Sequence, residues 1–217
     1  MQLPRGLLAI ALVWTVAAFA ATVGLRVPIQ PTSTSYTPGV RTLLTLLAMG
    51  GCLLWPLGRL ATMQGAWSLR RIALDLATLL VVLQVVLWPM QLVTYWPPAR
   101  GAALDLAISG WIVASAGVIA LGARSRGWTR SLWSLAWGAV VAAGPLLDVL
   151  GVPAPWPAVA GPVVAILELA PLRPGTPAAE AWAIAIFPWI PASLLLAAAI
   201  RAPRGAGARL APAPPGE

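Results

Sequence analysis

Six long apolar runs, separated by short turns that carry arginine or proline, constrain the fold of this chain more than any other feature. A run of about 20 apolar residues matches the hydrocarbon thickness of a bilayer. The composition agrees, because 59% of the 217 residues are hydrophobic and only 9% are charged, whereas about a quarter of a soluble domain is charged. We therefore predict an all-α integral membrane protein, a single polytopic domain over 1–200 with six transmembrane helices at 7–25, 42–58, 72–95, 102–122, 131–150 and 180–200.

The first run allows two interpretations. Residues 7–25 contain the small residues Ala-Phe-Ala-Ala, which resemble a signal-peptide cleavage site. The run is also long enough to span a bilayer, and we favour a retained first helix. Residues 26–41 are polar and predict a loop, so that the next span, 42–58, is short. The Pro, Ala and Gly tail over 201–217 predicts disorder.

The basic residues predict an orientation. All fourteen are arginine. With six helices and both termini cytoplasmic, ten arginines fall on inner segments, and the outer segments hold Arg26, Arg41, Arg100 and Arg173. The positive-inside rule favours this orientation. We predict that the protein lies in the inner (plasma) membrane of the cell. The net charge of +8 then reflects topology, and we predict no nucleic-acid partner.

The segment between the fifth and sixth helices is rich in proline. Over 151–179 the prolines exclude a long helix, and the apolar piece 162–171 is too short to span. Two arrangements stay open for this piece: it re-enters the membrane, or it lies flat on the outer surface.

The third helix carries the most polar groups and is predicted to face protein. Pro89 predicts a kink near Trp88. Asp75 lies four residues after Arg71, a spacing that predicts an inner ion pair. A polar stripe on another face of this helix consists of Gln84, Trp88, Gln91 and Tyr95. We predict that this stripe either packs against a neighbouring helix or lines a substrate pathway.

A second set of charged residues falls on the predicted outer side. One interpretation is helix capping and interfacial pairing, because first-turn acids favour the helix dipole. The other is an acidic vestibule at the mouth of a pathway, since ionisable groups in membranes tend to be functional. The set comprises Arg100, Asp105, Asp148, Glu168, Arg173 and Glu180.

Several chemistries are excluded within this chain. It has no histidine and one cysteine, Cys52, which removes imidazole-based metal sites, histidine general bases and an internal disulfide. It has no P-loop, zincin or nucleophile-elbow motif. We predict no catalytic residue, no metal site and no cofactor. Small residues such as Gly110 and Ala114 predict close helix packing, and the tryptophans, Trp55 and Trp96 among them, are expected at helix ends.

These features predict a non-catalytic transmembrane subunit of a multi-subunit assembly. The layout of six helices, basic inner loops and a helix-breaking outer segment is similar to that of export permeases of ATP-binding-cassette transporters, in architecture and not in residue motifs. The resemblance implies a cytoplasmic ATP-binding partner on the inner loops 59–71 and 124–130. Two alternatives are a structural scaffold of a respiratory or photosynthetic complex and a stand-alone channel or carrier. The partners expected are the bilayer and other membrane subunits.

Overall fold

The computed structural model describes residues 5–24, 33–62, 68–125, 127–152, 161–172 and 175–201. In these ranges the chain is helical and forms no strand. The helices are α1 Arg5–Phe19, α2 Ser33–Met49, α3 Trp55–Thr62, α4 Leu69–Met90, α5 Pro98–Gly122, α6 Trp128–Val149, α7 Pro162–Leu169, α8 Ala179–Ile186 and α9 Trp189–Arg201. A π-helical turn extends α1 over Ala20–Gly24, and another, Gly50–Leu54, joins α2 to α3.

Six helical segments are long and apolar enough to cross a bilayer, which confirms the prediction of a multi-pass, all-helical membrane protein. These segments are Arg5–Gly24, Ser35–Thr62, Leu69–Met90, Pro98–Gly122, Trp128–Val149 and Ala179–Arg201. The cytoplasmic location of the termini stays a prediction. We call the end of the bundle at Arg59, Arg70, Arg71, Arg124 and Arg130 the arginine-rich end, and the end at Arg100, Asp148 and Glu180 the opposite end.

The helix at the centre of the bundle is α5, not the third apolar run. Of the most apolar window of α5, 72% is buried, against 22% for α4. The third run is therefore not the most buried helix, although its polar side chains Asp75 and Gln84 contact neighbouring helices. Small residues explain the difference, because glycine, alanine and serine let neighbouring backbones approach α5 from several sides.

Glycines mark the closest approaches to α5. A Cβ built on Gly117 would lie 2.6 Å from the Cβ of Leu195, and one on Gly110 would lie 2.9 Å from the Cβ of Pro188. Real Cβ atoms do not approach so closely, so these contacts with α8 and α9 require glycine. From the first contact to the second, the residue number rises by seven both in α5 (110 to 117) and in the segment that contacts it (188 to 195). Helix α9 therefore runs parallel to α5.

Indole groups reach helix carbonyls where glycine leaves room. Trp14 Nε1 donates to the carbonyl of Leu46 at 3.1 Å, and a Cβ on Gly50, four residues on, would lie 2.8 Å from that nitrogen. Trp189 Nε1 donates to Leu106 at 3.0 Å, again with a glycine four residues on. In both places the missing side chain uncovers the carbonyl that the indole binds.

A third indole bond compensates for a proline. Pro56 has no N–H, so the carbonyl of Cys52 lacks its α-helical donor. Trp137 Nε1 on α6 donates to this oxygen at 2.6 Å, and Ser115 Oγ on α5 lies 3.5 Å from it. The irregular backbone between α2 and α3 is therefore tied to α5 and α6.

The second span is longer than predicted. The helix begins at Ser33, within the predicted loop 26–41, and its apolar segment Ser35–Thr62 has 28 residues. Serine, threonine and Pro38 disfavour a helix here by local propensity, but Gly39 packs against the carbonyl of Thr22 on the first span. Trp55 begins α3 but is buried within this span, not at the end of the span where it was expected.

Helix α4, which corresponds to the predicted third span 72–95, ends earlier than predicted. It ends at Met90, so Pro89 lies in its last turn and does not kink a longer helix. The backbone then closes a turn, in which Leu92 N–H donates to the Pro89 carbonyl at 3.0 Å. The proline thus terminates the helix and begins the connection to α5.

Gly117→Ala is expected to lower the thermal unfolding midpoint in detergent. The new methyl group would overlap the Leu195 side chain, and overpacking of this kind costs about 1–3 kcal/mol. Gly58→Ala is the matched control, because nothing lies within 4 Å of a Cβ there and alanine is the better helix former. Equal midpoints for the two variants would contradict the packing argument.

Candidate functional site

A polar contact joins α4 to α5 inside the bundle. Gln84 Nε2 donates to Asp105 Oδ1 at 2.6 Å, and Ser109 Oγ donates to the same oxygen at 3.1 Å. Trp88 Nε1 donates to Gln84 Oε1 at 2.6 Å. Gln84 precedes the end of its helix by six residues, about 9 Å. Asp105 is therefore held within the helical part of the bundle by side chains from two helices.

The other two residues of the predicted stripe do not extend it. Gln91 follows the end of α4, and its side chain occupies the space that a Cβ on Gly101 would need. The amide nitrogen of Gln91 is buried and has no hydrogen-bond partner in the described part of the chain. Tyr95 is 69% exposed. The four residues are separated because the helix ends before two of them.

Asp75 forms an ion pair, but its partner differs from the prediction. Arg59 Nη2 on α3 lies 2.8 Å from Asp75 Oδ2, and the side chain of Arg71 is exposed. This is a correction: Asp75 points into the bundle, where only a neighbouring helix can reach it. Position along the hairpin was an available signal, since both paired residues lie within two turns of the connection between α3 and α4.

Arg100 binds backbone carbonyls instead of an acid. Its Nη1 donates to the carbonyl of Leu169 at 3.0 Å and its Nε to that of Gly175 at 2.9 Å. Arg41 Nη2 donates to the carbonyl of Leu167 at 2.8 Å. Two arginines thus satisfy the free carbonyls at the C-terminus of α7, where the helix dipole also favours positive charge. Binding to carbonyls leaves no pattern in a sequence, so the role of Arg41 was missed.

The short helix α7 lies inside the bundle. Pro162, Ala165, Ile166 and Leu169 are buried. A Cβ on Gly161, whose φ is 97°, would lie 2.9 Å from the carbonyl oxygen of Val140, which is about 13 Å before the end of α6. The helix therefore begins about halfway along α6 and ends beside the two arginines at the opposite end.

The remaining acids of the predicted outer cluster lie at the surface of the bundle. Asp148, Glu168 and Glu180 are exposed, and Arg173 lies outside the described residues. Among the residues that the structure describes, Arg59–Asp75 is the ion pair found. The cluster is therefore divided into buried groups that bond within the bundle and acids that face outward.

A cavity of about 400 Å³ lies between α1 and the rest of the bundle. Apolar side chains and glycines form most of its wall, and Arg59 lies at one end of it. No group of three or more His, Cys, Asp or Glu side chains comes together in the described ranges. The absence of a cofactor stays a prediction.

Comparisons of this chain with protein-family models, with curated proteins and with solved structures found no match.

Arg59→Gln is expected to destabilise the protein strongly, because it leaves Asp75, 3% exposed, without its cation. Breaking such a pair from one side costs about 3–5 kcal/mol. The measurement is the unfolding midpoint in detergent, with Arg71→Gln as the control that should change little. Adding Asp75→Asn to Arg59→Gln should recover part of the loss, and a purely additive double variant would contradict the pairing.

Arg100→Met is expected to loosen the C-terminus of α7. Methionine retains much of the side-chain volume but leaves the carbonyls of Leu169 and Gly175 without donors, at about 1–3 kcal/mol each. Hydrogen exchange measured by mass spectrometry should become faster over 161–172. Glu168→Gln removes an exposed charge from the same helix and is the control. Unchanged exchange in Arg100→Met would contradict this role.

Proposed function

We propose that this protein is a non-catalytic membrane subunit of a transport assembly, and that a partner docks on its arginine-rich end. The observation that carries the proposal is the contact between α3 and α5. A Cβ on Gly122 would lie 2.5 Å from Leu60 Cδ2. The connections that follow these two helices therefore start side by side.

Both connections carry arginine. Arg70 and Arg71 are exposed in the first turn of α4, and Arg124 and Arg130 flank the connection between α5 and α6. Among the described residues, the acid nearest to this end is Asp75, which is buried and already paired with Arg59. The surface is therefore strongly basic, and it suits a partner with an acidic face, such as the cytoplasmic ATP-binding subunit of an export permease.

The interior supports a subunit rather than an enzyme. The buried carboxylate of Asp75 and the half-buried one of Asp105 lie in different parts of the bundle, and each is engaged: Asp75 with Arg59 and Asp105 with Gln84 and Ser109. The indoles of Trp14, Trp137 and Trp189 and the guanidinium group of Arg100 are likewise bound to backbone carbonyls. These groups are used to hold helices together.

A second candidate, a scaffold of a respiratory or photosynthetic complex, is favoured by one face of α4. Val81, Val85 and Trp88 are 62%, 69% and 44% exposed, and they recur every three or four residues along the helix. This apolar strip is as suitable a surface for a neighbouring membrane subunit as it is for lipid.

Charge-reversal variants test whether partner binding depends on the arginine-rich end or on another part of the surface. The variant Arg70→Glu with Arg71→Glu is expected to lose co-purifying partner chains in mild detergent, because the two new negative charges cancel the positive charge of the surface. The control reverses exposed acids at the opposite end, Asp148→Arg with Glu180→Arg, and should retain the partners. Mass spectrometry identifies the chains.

The same preparation distinguishes the two candidates. ATP hydrolysis that disappears with the Arg70 and Arg71 variant supports the transport assembly, whereas haem or pigment absorbance that survives this variant supports the scaffold. A wild-type protein that purifies without any partner chain would contradict both.

A further inference from the structure

The cavity beside α1 is long, narrow and mostly apolar. Along α1 its wall extends from Gly6 to Thr15, about 13 Å. The facing wall includes Leu54, Leu79 and Leu83. Its volume of about 400 Å³ falls within the range of roughly 300–1,000 Å³ that is typical of small-molecule sites. A slot with these walls suits a hydrocarbon chain.

The cavity exists because α1 contacts the bundle mainly along its C-terminal half. Trp14 binds the carbonyl of Leu46, Ala18 is the buried residue of α1, and Gly39 packs against the carbonyl of Thr22. Toward the arginine-rich end the two walls separate, since Gly6 and Gly58 have nothing within 4 Å of a Cβ position.

The cavity also opens toward the lipid-facing surface. Ile10 and Leu54 form part of its wall, yet they are 69% and 48% exposed. A chain can therefore enter from the side, between helices, without passing through water. This access favours a membrane lipid over a water-soluble ligand.

The charges at the end of the cavity indicate the headgroup. Arg59 is part of the wall, and Arg5 adjoins Gly6 at the start of α1. Arg70 and Arg71 are exposed in the first turn of α4. The acid facing Arg59 is Asp75, so the group as a whole is positive. An anionic phosphate would be attracted to this end.

We propose that this cavity binds one acyl chain of an anionic phospholipid, with the lipid phosphate at the arginines of the arginine-rich end. The proposal concerns this chain alone and does not require the transport assembly. The acyl chain fills the space beside Gly58, and the phosphate lies near Arg59 and Arg5.

Native mass spectrometry of the full chain, with phosphatidylglycerol or phosphatidylcholine added to the micelles, tests the proposal. Wild type should retain phosphatidylglycerol in preference to phosphatidylcholine. Gly58→Leu fills the cavity without a backbone clash and should weaken retention roughly tenfold, the value of about two buried methylene groups. Ala139→Leu places the same leucine side chain at an exposed position of α6 and should retain lipid as wild type does. Equal retention by Gly58→Leu and wild type would overturn the proposal.

A second variant tests the headgroup separately. Arg5→Gln with Arg70→Gln removes two positive charges without breaking the buried Arg59–Asp75 pair and should reduce the preference for phosphatidylglycerol, with phosphatidylcholine retained as before. Added inorganic phosphate should displace little lipid, because most of the binding comes from the acyl chain. Displacement of the lipid by inorganic phosphate, or a second copy of this chain bound in place of lipid, would overturn the assignment.

Discussion

The structure depends on one constraint: a backbone carbonyl that loses its helical donor inside a membrane must find another, because no water replaces it. Here the replacements come from side chains of neighbouring helices. Trp137 binds the carbonyl of Cys52, which Pro56 leaves without its α-helical donor, and Arg100 binds that of Leu169 at the end of α7. These two irregularities thereby become specific contacts with neighbouring helices.

Close packing around α5 makes such contacts possible. Gly110 and Gly117 bring α8 and α9 so near that no side chain fits between the backbones, and Trp189 then reaches the carbonyl of Leu106. Apolar side chains gain little by leaving lipid, so helices in a membrane associate through packing and polar contacts. Here the small residues of the central helix α5 provide the close packing, and the indole donors provide the polar contacts.

Polar side chains attach each half of α4 to a neighbouring helix. Arg59 holds its beginning through Asp75, and Asp105 holds its second half through Gln84. By contrast, α1 is attached mainly along its C-terminal half, and a cavity separates its other half from α4. The proposed functions both lie at the arginine-rich end, where the loosely packed part of the bundle meets its basic surface.

By itself the sequence determined that the chain forms apolar helices and how many could span a bilayer, because span length depends on runs of local composition. It also indicated that Asp75 needs a cation and that Gln84 needs a partner. Only the tertiary structure decided that Arg59 and not Arg71 pairs with Asp75, that the second span starts at Ser33, and that α5 lies at the centre. These outcomes depend on which helices are neighbours, and every apolar helix is an equally suitable neighbour until glycine contacts and carbonyl donors select among them.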